Sequence, residues 1–193
     1  MTDTRWLSNL GDAGLLVPLA LACALWLRAI DRQLALRWLL SLSIGMALVG
    51  ASKILYAGCG VEISSVQFRV ISGHTMLAAA VWTVAFALLA GCANARWHRA
   101  GATLGLLLGA AIGLSRIAED AHTPIEVLAG WLLGGGVAML FLNRFTREPR
   151  RMPQAILAGL GLLAVSSIAY GHHAPFQRMI VHYSPWLCRG FGL

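Results

Sequence analysis

Two short stretches of the chain combine histidine with serine, arginine and a carboxylate at spacings that suit phosphate chemistry. The first is Ser72-Gly73-His74, directly before an apolar run, and the second is Ser115-Arg116 followed by His122 and Glu126. A serine cap and the free amide groups of a first helical turn attract anions, and glycine lets a ligand approach the backbone. A histidine in that turn can donate a proton to the same ligand. The alternative interpretation of the tripeptide is an ordinary helix cap with a surface histidine.

The spacing of His122 and Glu126 also supports two interpretations. If a helix begins here, the four-residue spacing places the carboxylate and the imidazole on one face, so Glu126 holds one ring nitrogen and leaves the other as a nucleophile. However, Thr123-Pro124-Ile125-Glu126 is also a capping box with proline at the first helical position, which explains Glu126 without catalysis. The two roles are compatible.

Lys53 is a third candidate, because it follows a second apolar run on the same predicted side. A lysine that snorkels to the membrane interface is the alternative explanation.

Apolar helices must position these residues, because 58% of the chain is hydrophobic, 12% is charged and its mean hydropathy is +0.71. Such a composition is typical of membrane proteins, in which a span needs about 20 apolar residues. The predicted fold class is all-α, a polytopic bundle of about six transmembrane helices that forms a single domain over residues 1–193. The predicted spans are Gly14 to Ile30, Leu34 to Ala51, Met76 to Gly91, Ala100 to Ile117, Pro124 to Leu142 and Gln154 to Tyr170.

The arginines between the spans predict the orientation of the bundle. One side carries nine of them: Arg28, Arg32, Arg37, Arg96, Arg99, Arg144, Arg147, Arg150 and Arg151. By the positive-inside rule this side is cytoplasmic, so the candidate site faces outward, into the periplasm in a Gram-negative bacterium. Because the basic residues are spread between apolar spans, we expect no nucleic-acid partner. The first residues contain Asp3 and only Arg5, so no cleaved signal peptide is expected.

The cysteines and glycines support further hypotheses. Cys59 and Cys188 fall on the outer, oxidising side, where they form a disulfide unless they are only small apolar packing residues. A ladder of four glycines, Gly101, Gly105, Gly109 and Gly113, allows close helix approach, either inside the bundle, which we favour, or in a dimer. Gly130 and the run 134–136 are candidates for the complementary surface.

Three histidines follow the sixth predicted span, together with aromatic residues. His172, His173 and His182 are more typical of an interfacial segment than of a metal site, because their spacing is loose. Asp12, at the outer end of the first span, either tunes the site or merely flanks the membrane. No metal is expected.

Taken together, these residues are similar to the PAP2 (type 2 phosphatidic acid phosphatase) family, whose signatures run K-x6-R-P, P-S-G-H and S-R-x5-H-x3-D. The chain supplies Lys53, then Ser72-Gly73-His74, then Ser115-Arg116 with His122 and Glu126, in that order. Three positions depart from the pattern. Gly60-Val61 replaces arginine-proline, Ile71 replaces proline, and Glu126 replaces aspartate.

The resemblance implies a phosphatase or pyrophosphatase that works through a phosphohistidine without a metal or other cofactor. In that scheme His122 attacks phosphorus, Glu126 orients it, and His74 protonates the leaving oxygen. The implied phosphate-binding groups are Lys53, Ser72, the amide of Gly73 and Arg116, with Arg69 as a substitute for the missing arginine of the first signature.

The resemblance and the membrane location together suggest a lipid phosphate as substrate. Undecaprenyl pyrophosphate is the first choice, and phosphatidylglycerol phosphate, phosphatidic acid and lipid A phosphates are the alternatives. Phosphotransfer to a second lipid and binding without turnover are two further hypotheses. Membrane lipids are the expected partners, and the oligomeric state is left open.

Overall fold

A computed structural model describes residues 5–93, 95–143 and 161 of the chain. Its helices are α1 (Arg5–Asn9), α2 (Ala13–Ile30), α3 (Arg32–Cys59), α4 (Gly73–Ala93), α5 (Ala95–Ala118) and α6 (Pro124–Leu142). A short 3₁₀ turn, Ser64–Val66, and an isolated bridge between Ile63 and Phe68 lie in the connection from α3 to α4. The predicted all-α class is confirmed.

Five helices in the described part of the chain are long and apolar enough to cross a membrane. They correspond to the first five predicted spans, so the chain fits a multi-pass membrane protein. The sixth predicted span, Gln154 to Tyr170, and the histidines of the tail lie outside the described residues. The single domain over residues 1–193 stays a prediction for the same reason.

Polar caps determine where the helices begin and end. Asp12 and Asp31 cap α2 and α3, each with a side-chain oxygen that accepts from a backbone amide two residues later, at 2.7 and 2.8 Å. Helix α3 ends at Gly60, whose φ of 67° is the left-handed conformation that glycine adopts readily. The predicted second span ended at Ala51, because the apolar run stops there. The helix continues to Cys59, so Lys53 lies within α3 rather than beyond it.

Helix α4 is the centre of the bundle and contacts α2, α3, α5 and α6. Its small side chains, including Ala78, Ala79 and Ala80, are fully buried. Helix α5 packs closely against α4, because Gly105 and Gly109 carry no side chain. A Cβ atom at either position would collide with the α4 backbone. The ladder therefore serves packing inside the bundle, as we favoured.

The glycines of α6 pack differently from the prediction. A Cβ atom at Gly130 would lie 2.5 Å from the backbone oxygen of Ser72, and one at Gly134 would collide with that of Met76. These two glycines thus face α4, and for them the predicted pairing with the glycine ladder of α5 is wrong, whereas a Cβ atom at Gly135 would lie 3.2 Å from Leu106 on α5. Helix α4 is the shared partner because its small residues offer a surface to both neighbours.

Cys59 at the end of α3 is disulfide-bonded, whereas Cys23 and Cys92 are free thiols. Cys188, the partner that we predicted for Cys59, lies outside the described residues.

Candidate active site

A cavity of about 440 Å³ opens at the end of the bundle where α3 ends and where α4 and α6 begin. Most of the predicted site residues line it. The lining consists of Lys53, Tyr56, Ala57, Arg69, Val70, His74, Arg116, Ala121, His122 and Glu126.

His122 and Glu126 form the predicted pair. The Nδ1 atom of His122 lies 2.8 Å from Oε2 of Glu126, and the carboxylate is only 1% exposed. This hydrogen bond assigns the proton to Nδ1 and leaves the lone pair on Nε2, the tautomer required of a nucleophile that attacks through Nε2.

The capping box at the start of α6 is present as well. Thr123 caps α6, and the backbone amide of Thr123 donates to the same Oε2 of Glu126 at 3.2 Å. The other oxygen, Oε1, accepts from the backbone amides of Arg69 and Val70 at 3.0 and 3.2 Å. Glu126 therefore caps a helix, contacts His122 and fixes the segment before α4, so the capping box is confirmed beside the pairing with His122, and the catalytic role of the pair stays a prediction.

Burial lowers the pKa of His122 below its ordinary value, and the charges of Arg116 and Lys53 act in the same direction. The hydrogen bond and negative charge of Glu126 oppose this shift in the pKa. The net direction is downward, so the imidazole is neutral near pH 7.

Arg116 reaches the cavity from the last turn of α5. Its Nη1 atom donates to Oγ of Ser8 at 2.7 Å and to Oε2 of Glu119 at 2.6 Å. Helix α5 ends after Ala118, and the chain reverses through Asp120, whose φ is 53°. The buried Nε atom of Arg116 has no hydrogen-bond partner within the part of the chain that the structure describes.

Two more cations lie on the α3 side of the cavity. The ammonium of Lys53 is adjacent to Gly73, where a Cβ atom would lie 3.8 Å from Nζ. The guanidinium of Arg69 lies 6.0 Å from the ring centroid of Tyr56, and its Nε is 3.8 Å from Oε1 of Glu126. Arg69 thus joins the predicted site, in the segment before α4.

His74 enters the cavity from the first turn of α4. Its Nε2 atom lies 3.7 Å from Oδ2 of Asp12, across the gap between α2 and α4. The cavity therefore holds two histidines, each beside a carboxylate, together with three cations. Within the described ranges, no group of three or more histidine, cysteine, aspartate or glutamate side chains could hold a metal ion.

The family model for the PAP2 superfamily matches residues 56–151. A 22.5 kDa protein in the cps region of Klebsiella pneumoniae is 34% identical over 182 residues, which is 90% of this chain and 86% of that protein. The chain belongs to the PAP2 superfamily. This is a family of phosphatases, and the membership confirms the resemblance that the signatures suggested.

A second relative in the comparison is glucose-6-phosphatase 3 of Homo sapiens, which is 38% identical over 106 residues. This match covers 51% of the chain and 30% of the human protein. No solved structure matches the chain.

The PAP2 superfamily match includes the second and third signatures but begins after Lys53. Within the second signature, the structure places Ser72 away from the cavity. Its side chain is fully buried, and its Oγ forms a 2.9 Å hydrogen bond with Oγ1 of Thr75. Gly73 is at the helix start beside Lys53, and does not line the cavity either. Their roles as phosphate ligands stay predictions.

Several residues around this PAP2 site were missed in the sequence. Glu119 lies three residues after Arg116, and Tyr56 three after Lys53, so helical spacing could have identified both as neighbours. The contact of Ser8 with Arg116 joins residues 108 apart, and no local pattern indicates it. The same is true of the amide of Ile71, which donates to Oγ of Ser52 at 3.1 Å.

Proposed function

We propose that this protein is a membrane lipid phosphatase that hydrolyses a phosphate monoester or diphosphate through a phosphohistidine on His122. One observation carries the proposal. The Nδ1 atom of His122 is hydrogen-bonded to Glu126, and the ring of His122 lines a cavity that also contains His74 and three cations. A nucleophile, a proton donor and anion-binding groups around one cavity are the components that phosphoryl transfer requires.

In the first step, the lone pair on Nε2 of His122 attacks phosphorus, and the bond between phosphorus and the leaving oxygen breaks. The imidazolium of His74 gives its proton to that oxygen and becomes neutral. The products are the free alcohol, or the lipid phosphate when a diphosphate is cleaved, and phosphorylated His122. Glu126 stabilises the positive charge that develops on the imidazole of His122.

In the second step, neutral His74 takes a proton from water, and the resulting hydroxide attacks phosphorus. The phosphorus–nitrogen bond breaks, its electron pair returns to His122, and inorganic phosphate is released. The two histidines begin the cycle in opposite protonation states. The lowered pKa of His122 supports its role as the neutral partner.

The cations supply the electrostatic stabilisation of the transferring phosphoryl group. Lys53, Arg69 and Arg116 all line the cavity. A buried donor without an acceptor costs about 1–3 kcal/mol, so the Nε of Arg116, which has no partner among the described residues, favours a bound anion.

A lipid phosphate is the substrate class that fits this location best. The cavity opens at one end of a bundle of membrane-spanning helices, where a phosphate at the interface reaches it while its chain stays among lipids. The arginines between spans support a cytoplasmic location for the opposite end, which places the site at the outer leaflet of a bacterial inner membrane. Undecaprenyl pyrophosphate remains our first choice among the substrates.

The test is release of inorganic phosphate by the purified protein in detergent with excess chelator. Undecaprenyl pyrophosphate, phosphatidylglycerol phosphate, phosphatidic acid and glucose 6-phosphate are compared, the last because of the human relative. We expect turnover of a lipid and its loss in His122→Ala, whereas His98→Ala, a matched change of a histidine outside the cavity, keeps it. Phosphate labelling of His122 in wild type, stable in alkali and lost in acid, supports the intermediate.

The same assay separates the alternatives. Phosphate that appears on an added lipid acceptor rather than in solution indicates a phosphotransferase. Tight binding of lipid phosphate without release indicates a silent binder. Preference for glucose 6-phosphate over every lipid would contradict the proposed substrate class.

A further inference from the structure

We propose that Asp12 is a positioning residue for His74, whose ring it orients for protonation of the leaving group. The inference rests on the proposed function, because it concerns the proton donor of that reaction. It begins from the 3.7 Å separation between Oδ2 of Asp12 and Nε2 of His74. Asp12 belongs to none of the three signatures of the family and lies 62 residues before His74 in the sequence.

The turn that carries Asp12 is fixed against the helices of the site. The backbone oxygen of Leu10 accepts a 3.0 Å hydrogen bond from Nε1 of Trp82 on α4. A Cβ atom at Gly11 would lie 2.6 Å from Ile112 on α5 and 3.5 Å from Cβ of His74. Only glycine lets the turn approach this closely, so the placement of Asp12 beside His74 is built into the packing.

The charges around the cavity explain why His74 needs a carboxylate of its own. Lys53, Arg69 and Arg116 line the same cavity, so the His74 ring shares it with three positive charges. Two other carboxylates are nearby, but Glu126 is bonded to His122 and Glu119 to Arg116. Asp12 is the carboxylate that the described structure places within 4 Å of the His74 ring.

The geometry also divides the two ring nitrogens of His74. Asp12 faces Nε2, so the proton on Nδ1 is the one transferred to the leaving oxygen. When the bond to phosphorus breaks, that oxygen takes the Nδ1 proton, and the ring keeps the proton on Nε2 beside Asp12. In the second step Nδ1 takes a proton from water, which returns the ring to its starting state.

Asp12 has a structural role that the test must preserve. Its Oδ1 atom caps α2 by accepting from the amide of Gly14 at 2.7 Å. Asparagine caps helices about as well as aspartate, so Asp12→Asn removes the charge and keeps the cap. Asp31 is a matched control, because its Oδ1 caps α3 in the same way at the opposite end of the bundle.

The experiment compares two phosphate esters of similar size, 4-nitrophenyl phosphate and benzyl phosphate, in detergent with chelator. The nitrophenolate leaves without a proton, whereas the benzyl alkoxide requires one. We compare kcat/KM, because it covers only the steps up to phosphorylation of His122 and leaves out the second step, in which His74 activates water for both esters. We expect Asp12→Asn to lower kcat/KM for benzyl phosphate by about 10-fold to 100-fold, part of the 10²–10⁴ that general acid catalysis supplies, and to change kcat/KM for 4-nitrophenyl phosphate less than about twofold. Asp31→Asn should leave kcat/KM for both esters unchanged, and His74→Ala should reproduce the selective loss in kcat/KM more strongly.

An equal loss of kcat/KM for both esters in Asp12→Asn, or no loss for either, would overturn the inference. A second measurement covers the case in which wild type hydrolyses neither ester, and the proposed function fails only if wild type releases no phosphate from the lipids either. Diethyl pyrocarbonate modifies neutral imidazole, and mass spectrometry of the peptides gives the rate at each histidine. We expect Asp12→Asn to raise the rate at His74 and not at His122, and an unchanged rate at His74 would reject the contact itself.

Discussion

The two histidines of the cavity are held in different ways. His122 is held by a residue four positions away, at 2.8 Å, through a carboxylate that is 1% exposed and accepts from three backbone amides as well. His74 faces the carboxylate of Asp12, which lies 62 residues away at the cap of another helix, at a distance of 3.7 Å. The side chain of His74 is 33% exposed. One pair is local, buried and rigid, whereas the other is long-range, looser and open to the cavity.

This difference matches what each histidine has to do. A nucleophile must keep one tautomer and one direction of attack, so a fully bonded carboxylate suits it. A proton carrier must serve first the leaving oxygen and then a water molecule at different positions, so a looser pair suits it. The surroundings of the two histidines therefore support the roles that we propose for them, independently of the family signatures.

The largest expected effect comes from breaking the rigid pair. Glu126→Gln leaves one acceptor oxygen for four donors and places an amide group beside His122. We expect kcat to fall by about 10³-fold or more, as when a triad aspartate becomes asparagine, and stability to fall by about 1–3 kcal/mol from unpaired donors. The measurements are steady-state rates and thermal unfolding in detergent.

The two esters distinguish this variant from Asp12→Asn. Attack by His122 is required for both esters, so Glu126→Gln should slow them by the same factor. Glu126→Asp is the conservative control, because it keeps the charge and restores the residue that the third signature contains. If Glu126→Gln spares 4-nitrophenyl phosphate, the assignment of His122 as the nucleophile is wrong.

A smaller effect is expected in the pH dependence of kcat/KM. His122 must be neutral to attack, so activity is lost as the pH falls through its pKa. Because burial and neighbouring cations lower that pKa, the acid limb of the profile should lie below the ordinary histidine value of about 6.5.

Lys53→Met tests the cause of this shift. Removing a positive charge near His122 should raise its pKa and move the acid limb to higher pH, in addition to a loss of rate. An acid limb that stays in place, or that moves to lower pH, would contradict the assignment of this limb to His122.

Local patterns in the sequence predicted the pairing of His122 with Glu126 and missed the pairing of His74 with Asp12. The helical spacing of His122 and Glu126 and the capping box beside them are set by neighbours in the chain, so both appeared in the structure as expected. The apolar runs likewise located the five described spans. Asp12 beside His74 and Ser8 beside Arg116 depend on how α2, α4 and α5 pack, which no local spacing encodes.

The limits of individual helices were predicted less well for a related reason. The predicted second span stopped at Ala51, because hydropathy reports membrane burial rather than helix formation. Helix α3 continues through Ser52, Lys53 and Tyr56, which serve the site, and stops only at Gly60. Polar residues that extend an apolar helix into a site are invisible to a hydropathy criterion.

The smallest expected effect on the two histidine–carboxylate pairs comes from a change in the packing of α5 on α4. Gly105→Ala places a Cβ atom against the backbone of Thr83, so α5 must move away from α4, at a cost of about 1–3 kcal/mol in unfolding free energy. Gly136→Ala is the matched control, because nothing lies within 4 Å of its new Cβ atom, and it should stabilise the helix by about 0.5–1 kcal/mol. Asp12 caps α2, His74 lies in the first turn of α4, and His122 and Glu126 lie at the start of α6, so no residue of either pair is on α5. The turn of Asp12 packs against α5 at Ile112, about two helical turns from Gly105. The ratio of the rates for benzyl and 4-nitrophenyl phosphate should therefore stay constant while Gly105→Ala lowers the unfolding temperature. A change in that ratio would mean that the packing of α5 on α4 positions His74, and that the looser pair is held by more than Asp12.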